Sequence, residues 1–300
     1  MGATGATIDA DAVVAWFAEN ARDLPWRRPG FSAWGTLVSE FMLQQTQVSR
    51  VVPILEAWLV RWPTPADLAA TPPAEVLRAW GRLGYPRRAL ALHACAAAIA
   101  ERHGNEVPED VDDLLALPGI GDYTARAIAV FAHGSRHPVV DTNVRRVLVR
   151  AVDGLAQPAA PNARRDLPAM AALLPDDLVA QRAFNAGVME LGAIVCTART
   201  PRCDECPLAA TCAWRAAGYP PAEGPPARRQ ARFEGSDRQR RGQVLAVLRA
   251  TDAPVSDAEL AVVLPDAEVR ARVLAGLATD GLAEPGPDGW SLPGAERTSD

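Results

Sequence analysis

Four of the five cysteines fall between positions 196 and 212, in the order Cys196-x6-Cys203-x2-Cys206-x5-Cys212. Four thiolates at that spacing, with Pro201 and Pro207 shaping the turns, can surround one compact centre, either an iron–sulfur cluster or a zinc ion. Disulfides are not expected of an intracellular chain. Cys95 stands apart in an alanine-rich stretch and reads as a small buried hydrophobe.

A second group of residues suits a phosphate. Leu117-Pro118-Gly119-Ile120-Gly121 lies between helical stretches holding Leu114 and Leu115 before it and Ala127, Ile128 and Val130 after it. Two glycines in such a turn free their amides to face an anion, and the next helix adds the positive end of its dipole. The segment reads as a helix-hairpin-helix. Asp141 follows Val139-Val140 and precedes a helical run through Val144, Val147 and Leu148, which puts it at an N-cap. Backbone amides and the helix dipole would keep that carboxylate ionised, which suits a charge meant to stabilise a cation; plain capping explains it equally. A third group is Ser39-Glu40-Phe41-Met42-Leu43-Gln44-Gln45-Thr46. On a helix, Leu37, Val38, Phe41 and Met42 share one face while Glu40, Gln44 and Gln47 share another. If that helix continues, Gln45 lands on the apolar face, so either the helix ends near it or its amide is buried for a purpose.

The elements that must position these groups are mostly helical. Up to about residue 215, apolar residues recur at three and four spacing, as in Val13, Trp16 and Phe17, and Pro or Gly marks the joints. Residues 219–226, YPPAEGPP, predict an extended linker. Arg228, Arg229, Arg232, Arg238, Arg240 and Arg241 make its far side basic. The tail predicts a helix over about 240–249, a second opened by the capping box Ser256-Asp257-Ala258-Glu259, a third over about 266–279, and a hairpin around Pro287-Asp288-Gly289. Three short helices and a hairpin resemble a winged helix.

Length and composition bound the rest. At 300 residues, with 49% hydrophobic and 22% charged residues, the chain is a folded protein of two or three domains. A formal charge of −5 argues against a surface that attracts nucleic acid everywhere, though not against a local basic patch. All 31 basic residues are arginine, so only the terminal amine is left for imine chemistry. The start carries Asp9 and Asp11 rather than a basic region and an apolar core, and the longest apolar run, 89–100, falls short of the roughly 20 residues of a membrane span. A cytoplasmic protein without membrane attachment is expected.

Together the segments resemble one family. Leu24-Pro25-Trp26, SEFMLQQTQV from Ser39 to Val48, Gly84-Tyr85, LPGIGDYTA from Leu117 to Ala125, VVDTNVRRV from Val139 to Val147, FNAGVMELGAIVC from Phe184 to Cys196 and the cysteine loop look like the MutY-type adenine DNA glycosylases, in the iron–sulfur branch of the endonuclease III superfamily. The resemblance covers roughly residues 10–215. It implies an all-α helix-hairpin-helix glycosylase fold, with a six-helix barrel domain at 25–140 and a cluster domain built from 1–24 and 141–218. A linker at 219–236 and a winged-helix-like module at 237–293 would complete the chain. It also implies a [4Fe-4S] cluster on Cys196, Cys203, Cys206 and Cys212, with Gly119 and Gly121 at a DNA phosphate.

Cleaving an N-glycosidic bond passes through an oxocarbenium-like state, which calls for one acid and one supporting carboxylate. By the resemblance, Glu40 protonates the departing adenine and Asp141 stabilises or captures the sugar carbon, with Tyr123 and Asn143 supporting the centre. Leu43, Gln44, Gln45 and Tyr85, with Thr46 in the same element, match residues that wedge into the gap or contact the opposite base once adenine is flipped out. Trp26 and Arg27 match the adenine-pocket region. Relatives that also cut the strand carry a lysine where Tyr123 stands, so the expected enzyme is monofunctional. The expected partner is double-stranded DNA with adenine opposite 8-oxoguanine or guanine, bound by a monomer that is nucleoid-associated when on DNA. The chain departs from the family at Pro86 and Ala186 and has no recognisable Nudix-like domain. Two alternatives are a mismatch-specific thymine or uracil glycosylase and a non-catalytic iron–sulfur redox sensor on DNA.

Overall fold

The computed structural model describes residues 8–222 and 233–295. They fall into two compact units. Among the described residues the regular structure is helical apart from one small hairpin near the end, as the sequence predicts.

The first unit takes the residues up to Thr36, then Glu109–Ala116, then Ile120 to the linker. It opens with α1 (Ala10–Asn20) and a 3-10 turn at Pro25–Arg27. From there α2 (Ala33–Leu43) carries the chain into the second unit. In the second unit α3 (Val48–Arg61), α4 (Pro65–Ala69), α5 (Pro73–Trp80) and α6 (Arg87–Arg102) follow. Back in the first unit are α7 (Val111–Leu115), α8 (Asp122–Phe131), α9 (Thr142–Ala151), α10 (Ala163–Ala171), α11 (Leu178–Ile194) and α12 (Ala213–Ala216). The core of this unit is apolar: Val13 of α1, Val144 and Val147 of α9, and Phe184, Val188 and Leu191 of α11 are all buried. Acidic excess is partly spent on caps. Asp9, Asp110, Asp141 and Asp177 each accept from a backbone amide of the first turn that follows, about 1 kcal/mol apiece.

In the second unit Trp58 sits edge-on to Trp62 and Trp80, with ring centroids 4.7 and 5.6 Å away. The unit also takes the C-terminal module: α13 (Asp237–Arg249), α14 (Asp257–Val263), α15 (Ala267–Thr279), β1 (Glu284–Gly286) and β2 (Gly289–Ser291). Helix α13 starts earlier than predicted because Ser236 caps it. The capping box at Ser256 and Glu259 is present. The two strands pair antiparallel with Pro285 opposite Trp290, and Val255 bridges to Trp290 from the other side, which completes a winged-helix pattern. Val244, Leu245 and Leu248 of α13 and Val273, Leu274 and Leu277 of α15 form its buried apolar faces.

The two units cut the chain differently from the boundaries expected of the sequence. Helix α8 goes with the first unit, because Ala127 and Val130 pack with Val139 and Met189. Arg228, Arg229 and Arg232 of the predicted basic stretch lie outside the described residues. Among the described residues no helix is long and apolar enough to cross a membrane.

Candidate active site and cluster loop

In the second unit, α2 ends at Leu43, which settles the question posed by Gln45. The chain turns there with Gln45 exposed at a left-handed φ of 55°. Tyr85, between α5 and α6, is also left-handed at φ 47° and leaves 45% of its surface exposed. Each such conformation costs a side-chain-bearing residue about 1–2 kcal/mol. One residue holds both turns. Arg88 Nη1 donates to the carbonyls of Phe41 at 2.8 Å, Met42 at 3.1 Å and Gln44 at 2.5 Å, and Nη2 donates to Thr46 Oγ1 at 2.9 Å and to Gly84 O at 3.1 Å. Thr46 Oγ1 in turn reaches Leu83 O at 3.3 Å. The guanidinium lies over the rings of Trp80 and Tyr85. Burial lowers its pKa to about 10, still far above neutrality. Arg88 was missed by sequence reasoning, since an arginine at the start of a helix carries no local sign that its fork reaches two distant turns.

Glu40 lies on α2, half-buried, and Gln44, Leu43 and Thr46 are half-buried beside the helix end. Gly119, in the hairpin between α7 and α8, has φ 77°. A Cβ there would meet Ala91 Cβ and Phe41 Cε1, both at 2.9 Å, so glycine is required at that position. Gly121 is extended and caps α8, with nothing within 4 Å of where a Cβ would stand.

In the first unit, Asp141 is the N-cap of α9, as expected. Its Oδ1 accepts from the Val144 amide at 2.7 Å and its Oδ2 from Asn143 Nδ2 at 2.8 Å. Burial nonetheless raises the Asp141 pKa above its ordinary value; the hydrogen bonds and the nearby Arg146 charge oppose that rise without cancelling it. Desolvation thus sets the direction of the shift, against the capping bonds. The approach to Asp141 is fixed by Asn185, fully buried on α11, which accepts from Val139 N at 2.9 Å and donates to His137 O at 3.2 Å. Behind Asn143, Arg146 Nη2 donates to Asn143 Oδ1 at 2.8 Å and to Gly192 O at 2.6 Å, while Nε donates to Cys196 O at 2.7 Å. One guanidinium thus ties the support of Asp141 to the first residue of the cysteine loop. Gly192 permits it: a Cβ there would lie 2.7 Å from Asn143 Cβ and 2.8 Å from Asn143 O. Tyr123, near the start of α8, brings its hydroxyl to 4.0 Å from Met189 Sδ on α11. Trp26 is half-buried in the 3-10 turn, and the Arg27 fork is engaged by the carboxylate of Glu190 at 3.0 and 2.8 Å. Arg146, Asn185, Glu190 and Gly192 lie within the segments that carry the family resemblance, but their individual roles were not read from the sequence, because most of their contacts reach residues far along the chain.

Cys196, Cys203, Cys206 and Cys212 line one cavity, together with Arg150 and Trp214. Arg150 Nη1 donates to Cys196 Sγ at 3.4 Å and to Thr197 O at 2.8 Å, with its guanidinium over the Trp214 ring. Among the described residues no three His, Cys, Asp or Glu side chains converge as a single ion would require. Four thiols around one cavity suit the corners of an iron–sulfur cluster. Cys95 is fully buried, and burial pushes its thiol up to about 12, consistent with an inert core residue.

Comparison with known proteins agrees with this geometry. Residues 38–167 match the HhH-GPD superfamily of base excision DNA repair proteins, and residues 196–212 match the iron–sulfur binding domain of endonuclease III. The chain is 58% identical over 294 residues to an adenine DNA glycosylase of Mycolicibacterium smegmatis, spanning 97% of this chain and 98% of the relative. It is 55% identical over 284 residues to an adenine DNA glycosylase of Mycobacterium tuberculosis, spanning 94% of this chain and 92% of the relative. A solved structure of a thermostable thymine-DNA glycosylase aligns with a TM-score of 0.62 at 26% identity, over 69% of this chain and 95% of that one. Four cysteines around one cavity, a helix-hairpin-helix followed by the N-cap Asp141, and 58% identity over nearly the whole chain lead to one assignment: the chain belongs to the MutY-type adenine DNA glycosylases of the HhH-GPD superfamily and carries their [4Fe-4S] loop.

Proposed function

We propose that this chain is a monofunctional DNA glycosylase that hydrolyses the N-glycosidic bond of adenine mispaired with 8-oxoguanine or guanine in duplex DNA, leaving an abasic site. The observation that carries the reading is Asp141. Its carboxylate is desolvated, yet it is oriented by Val144 N and Asn143 and backed by Arg146. Such a group is poised to gain when a cation develops beside it. In the reaction, the bond from C1′ to the base breaks with its electron pair leaving on adenine. Glu40 supplies a proton to a ring nitrogen of the base, Asp141 supports the sugar cation, and water adds at C1′, returning a proton to the carboxylate that lost one.

Opposite-base reading falls to Gln44, Gln45 and Tyr85, the latter two held in left-handed turns that Arg88 clamps, as strained residues at contact sites often are. Tyr123 and Asn143 line the support of Asp141, Trp26 and Arg27 the adenine pocket, and the amides near Gly119 and Gly121 face phosphate. No lysine is present to form an imine with the abasic sugar, so a lysine-based strand-scission step is not part of the reaction. Cys196, Cys203, Cys206 and Cys212 would hold the cluster, which when bound cross-links the 196–212 loop rather than taking part in hydrolysis.

The test is single-turnover base release, with the cluster-loaded chain, from duplexes carrying adenine opposite 8-oxoguanine, adenine opposite guanine, and thymine opposite guanine. Adenine release from the first two, absent in Asp141→Asn, with strand breaks appearing only after alkali, is the expected result. Thymine release would move the chain to the mismatch-pyrimidine class, and DNA binding with no base release would make it a non-catalytic binder.

A further inference from the structure

A winged-helix module beside a glycosylase core invites the reading that it grips DNA. Its charges argue otherwise. Residues 237–295 hold nine acidic residues against six arginines, and four of the six pair with the module's own carboxylates. Arg240 and Arg272 meet Asp237, Arg241 meets Asp280, and Arg270, in the helix that would enter a groove, turns inward to Asp257 at 2.7 Å. A DNA-reading winged helix presents a basic face there.

Of the two left, Arg238 is exposed with its guanidinium over the Phe233 ring, and Arg249 points to a different task. Arg249, the last residue of α13, donates from Nη1 to Gly81 O at 2.7 Å. Its Nε is buried without a hydrogen-bond partner, and no carboxylate pairs with it among the described residues. A desolvated cation without an anion is costly, so a neutral residue would serve packing better. Gly81 opens the turn that leads to Tyr85, with φ 52° and ψ −122°, a conformation closed to residues with a Cβ. Along that turn the carbonyls are bound one after another. Gly81 is held by Arg249, Arg82 by Arg50, Leu83 by Thr46, and Gly84 by Arg88 and by Trp80 Nε1. The module is fastened at a second point, where Arg78 of α5 donates to Thr251 O at 2.9 Å and pairs with Asp252 at 2.8 Å.

We propose that the C-terminal module is a brace for the turn that carries Tyr85, with Arg249 as its positioning residue, and that it thereby sets selectivity for the base opposite the adenine. The proposal rests on the assignment of Tyr85 to the opposite base, and its test separates the two. Full-length, cluster-loaded Arg249→Met and Arg249→Lys are compared with the parent and with Tyr85→Ala. Hydrogen exchange at the amides of residues 82–85 is expected to speed up about tenfold in Arg249→Met and to return toward the parent rate in Arg249→Lys, with the melting of the rest of the chain unchanged. The ratio of single-turnover rates for adenine opposite 8-oxoguanine over adenine opposite guanine is expected to fall about five- to tenfold in both Arg249→Met and Tyr85→Ala, with affinity for undamaged duplex unchanged in Arg249→Met. Unchanged exchange in Arg249→Met overturns the brace outright. Faster exchange with an unchanged ratio in Arg249→Met, while Tyr85→Ala loses selectivity, overturns the link from brace to selectivity. Faster exchange together with a Tyr85→Ala that keeps full selectivity upholds the brace and removes Tyr85 from the opposite base.

Discussion

Replacing Glu190 by Gln should destabilise the protein by about 3 kcal/mol at neutral pH, although Glu190 touches none of the proposed reacting groups. Its side chain on α11 is 1% exposed. Arg22 donates to it from Nε at 2.7 Å, from Nη2 at 2.6 Å and from its backbone amide at 3.1 Å, and Arg27 donates through both terminal nitrogens at 3.0 and 2.8 Å. Burial by itself would raise the Glu190 pKa, but the bonds from Arg22 and Arg27 overcome it and bring the carboxyl down from 4.5 to about 2. At 1.36 kcal/mol per pH unit, a drop of that size corresponds to roughly 3 kcal/mol, within reach of the 3–5 kcal/mol typical of a broken buried pair. Because the folded-state pKa is depressed, this stability is fully present above pH 4.5 and is lost as pH falls through about 2. Urea unfolding of parent and Glu190→Gln at pH 6, 7 and 8 should therefore show a constant gap of about 3 kcal/mol. Adding Arg22→Gln to Glu190→Gln should cost less than the sum of the two. A gap below about 1 kcal/mol, or one that widens between pH 6 and 8, would refute the assignment of this network as the anchor of the Trp26-Arg27 turn.

Three further outcomes follow from the same geometry. Asp141→Asn keeps an N-cap acceptor, so it should fold with a melting temperature at or above the parent's while base release slows at least about 10²-fold; since burial raises the parent carboxyl, ionising it disfavours the folded state, and the stability advantage of the variant should grow as pH rises through the acid range. In the parent, the acid limb of the single-turnover rate should have its midpoint above the ordinary carboxylate value of 3.8, and a midpoint at or below it counts against Asp141 as the charged partner. Arg88→Met strips several carbonyls of their donor at about 1–3 kcal/mol each, so chemical denaturation should report a loss of at least about 3 kcal/mol and mismatch affinity should fall with it. Gly192→Ala should lower stability by about 1–3 kcal/mol and slow base release, because the new methyl displaces Asn143; a variant with parent kinetics would show that Asn143 does not orient Asp141.

What could be read from the chain alone was whatever is local. The cysteine spacing, the hairpin glycines, the N-cap at Asp141 and the capping box at Ser256 depend on neighbours within a few residues, and the structure has each where the spacing puts it. Gln45 marks the edge of that legibility. Its place on an apolar face allowed two readings, and the choice between them lay with Arg88, 43 positions away, whose fork stops α2 by taking the carbonyls at its end. The direction of the Asp141 pKa shift marks it again. Capping amides are visible in sequence and favour the anion, whereas the burial that opposes them arises from packing around α9 and α11 and outweighs the cap.

A lysine-free chain of net charge −5 that acts on DNA looks inconsistent until the arginines are followed to their partners. Several of those that order the site end on main-chain carbonyls rather than carboxylates: Arg88 on Phe41, Met42 and Gln44, Arg146 on Gly192 and Cys196, Arg150 on Thr197, Arg249 on Gly81. A planar fork with five donors can satisfy several carbonyls of a turn at once, which the ammonium of a lysine, with three, does less well. The electrostatic consequence differs from that of a salt bridge. A carboxylate cancels the cation it binds, but a carbonyl only solvates it, so an arginine buried against backbone keeps its full positive charge beside the turn it organises. Arg88 and Arg249, which hold the turns at Gln45 and Tyr85, therefore keep their positive charge there, and an acidic protein can present a locally attractive field to phosphate without an exposed basic patch.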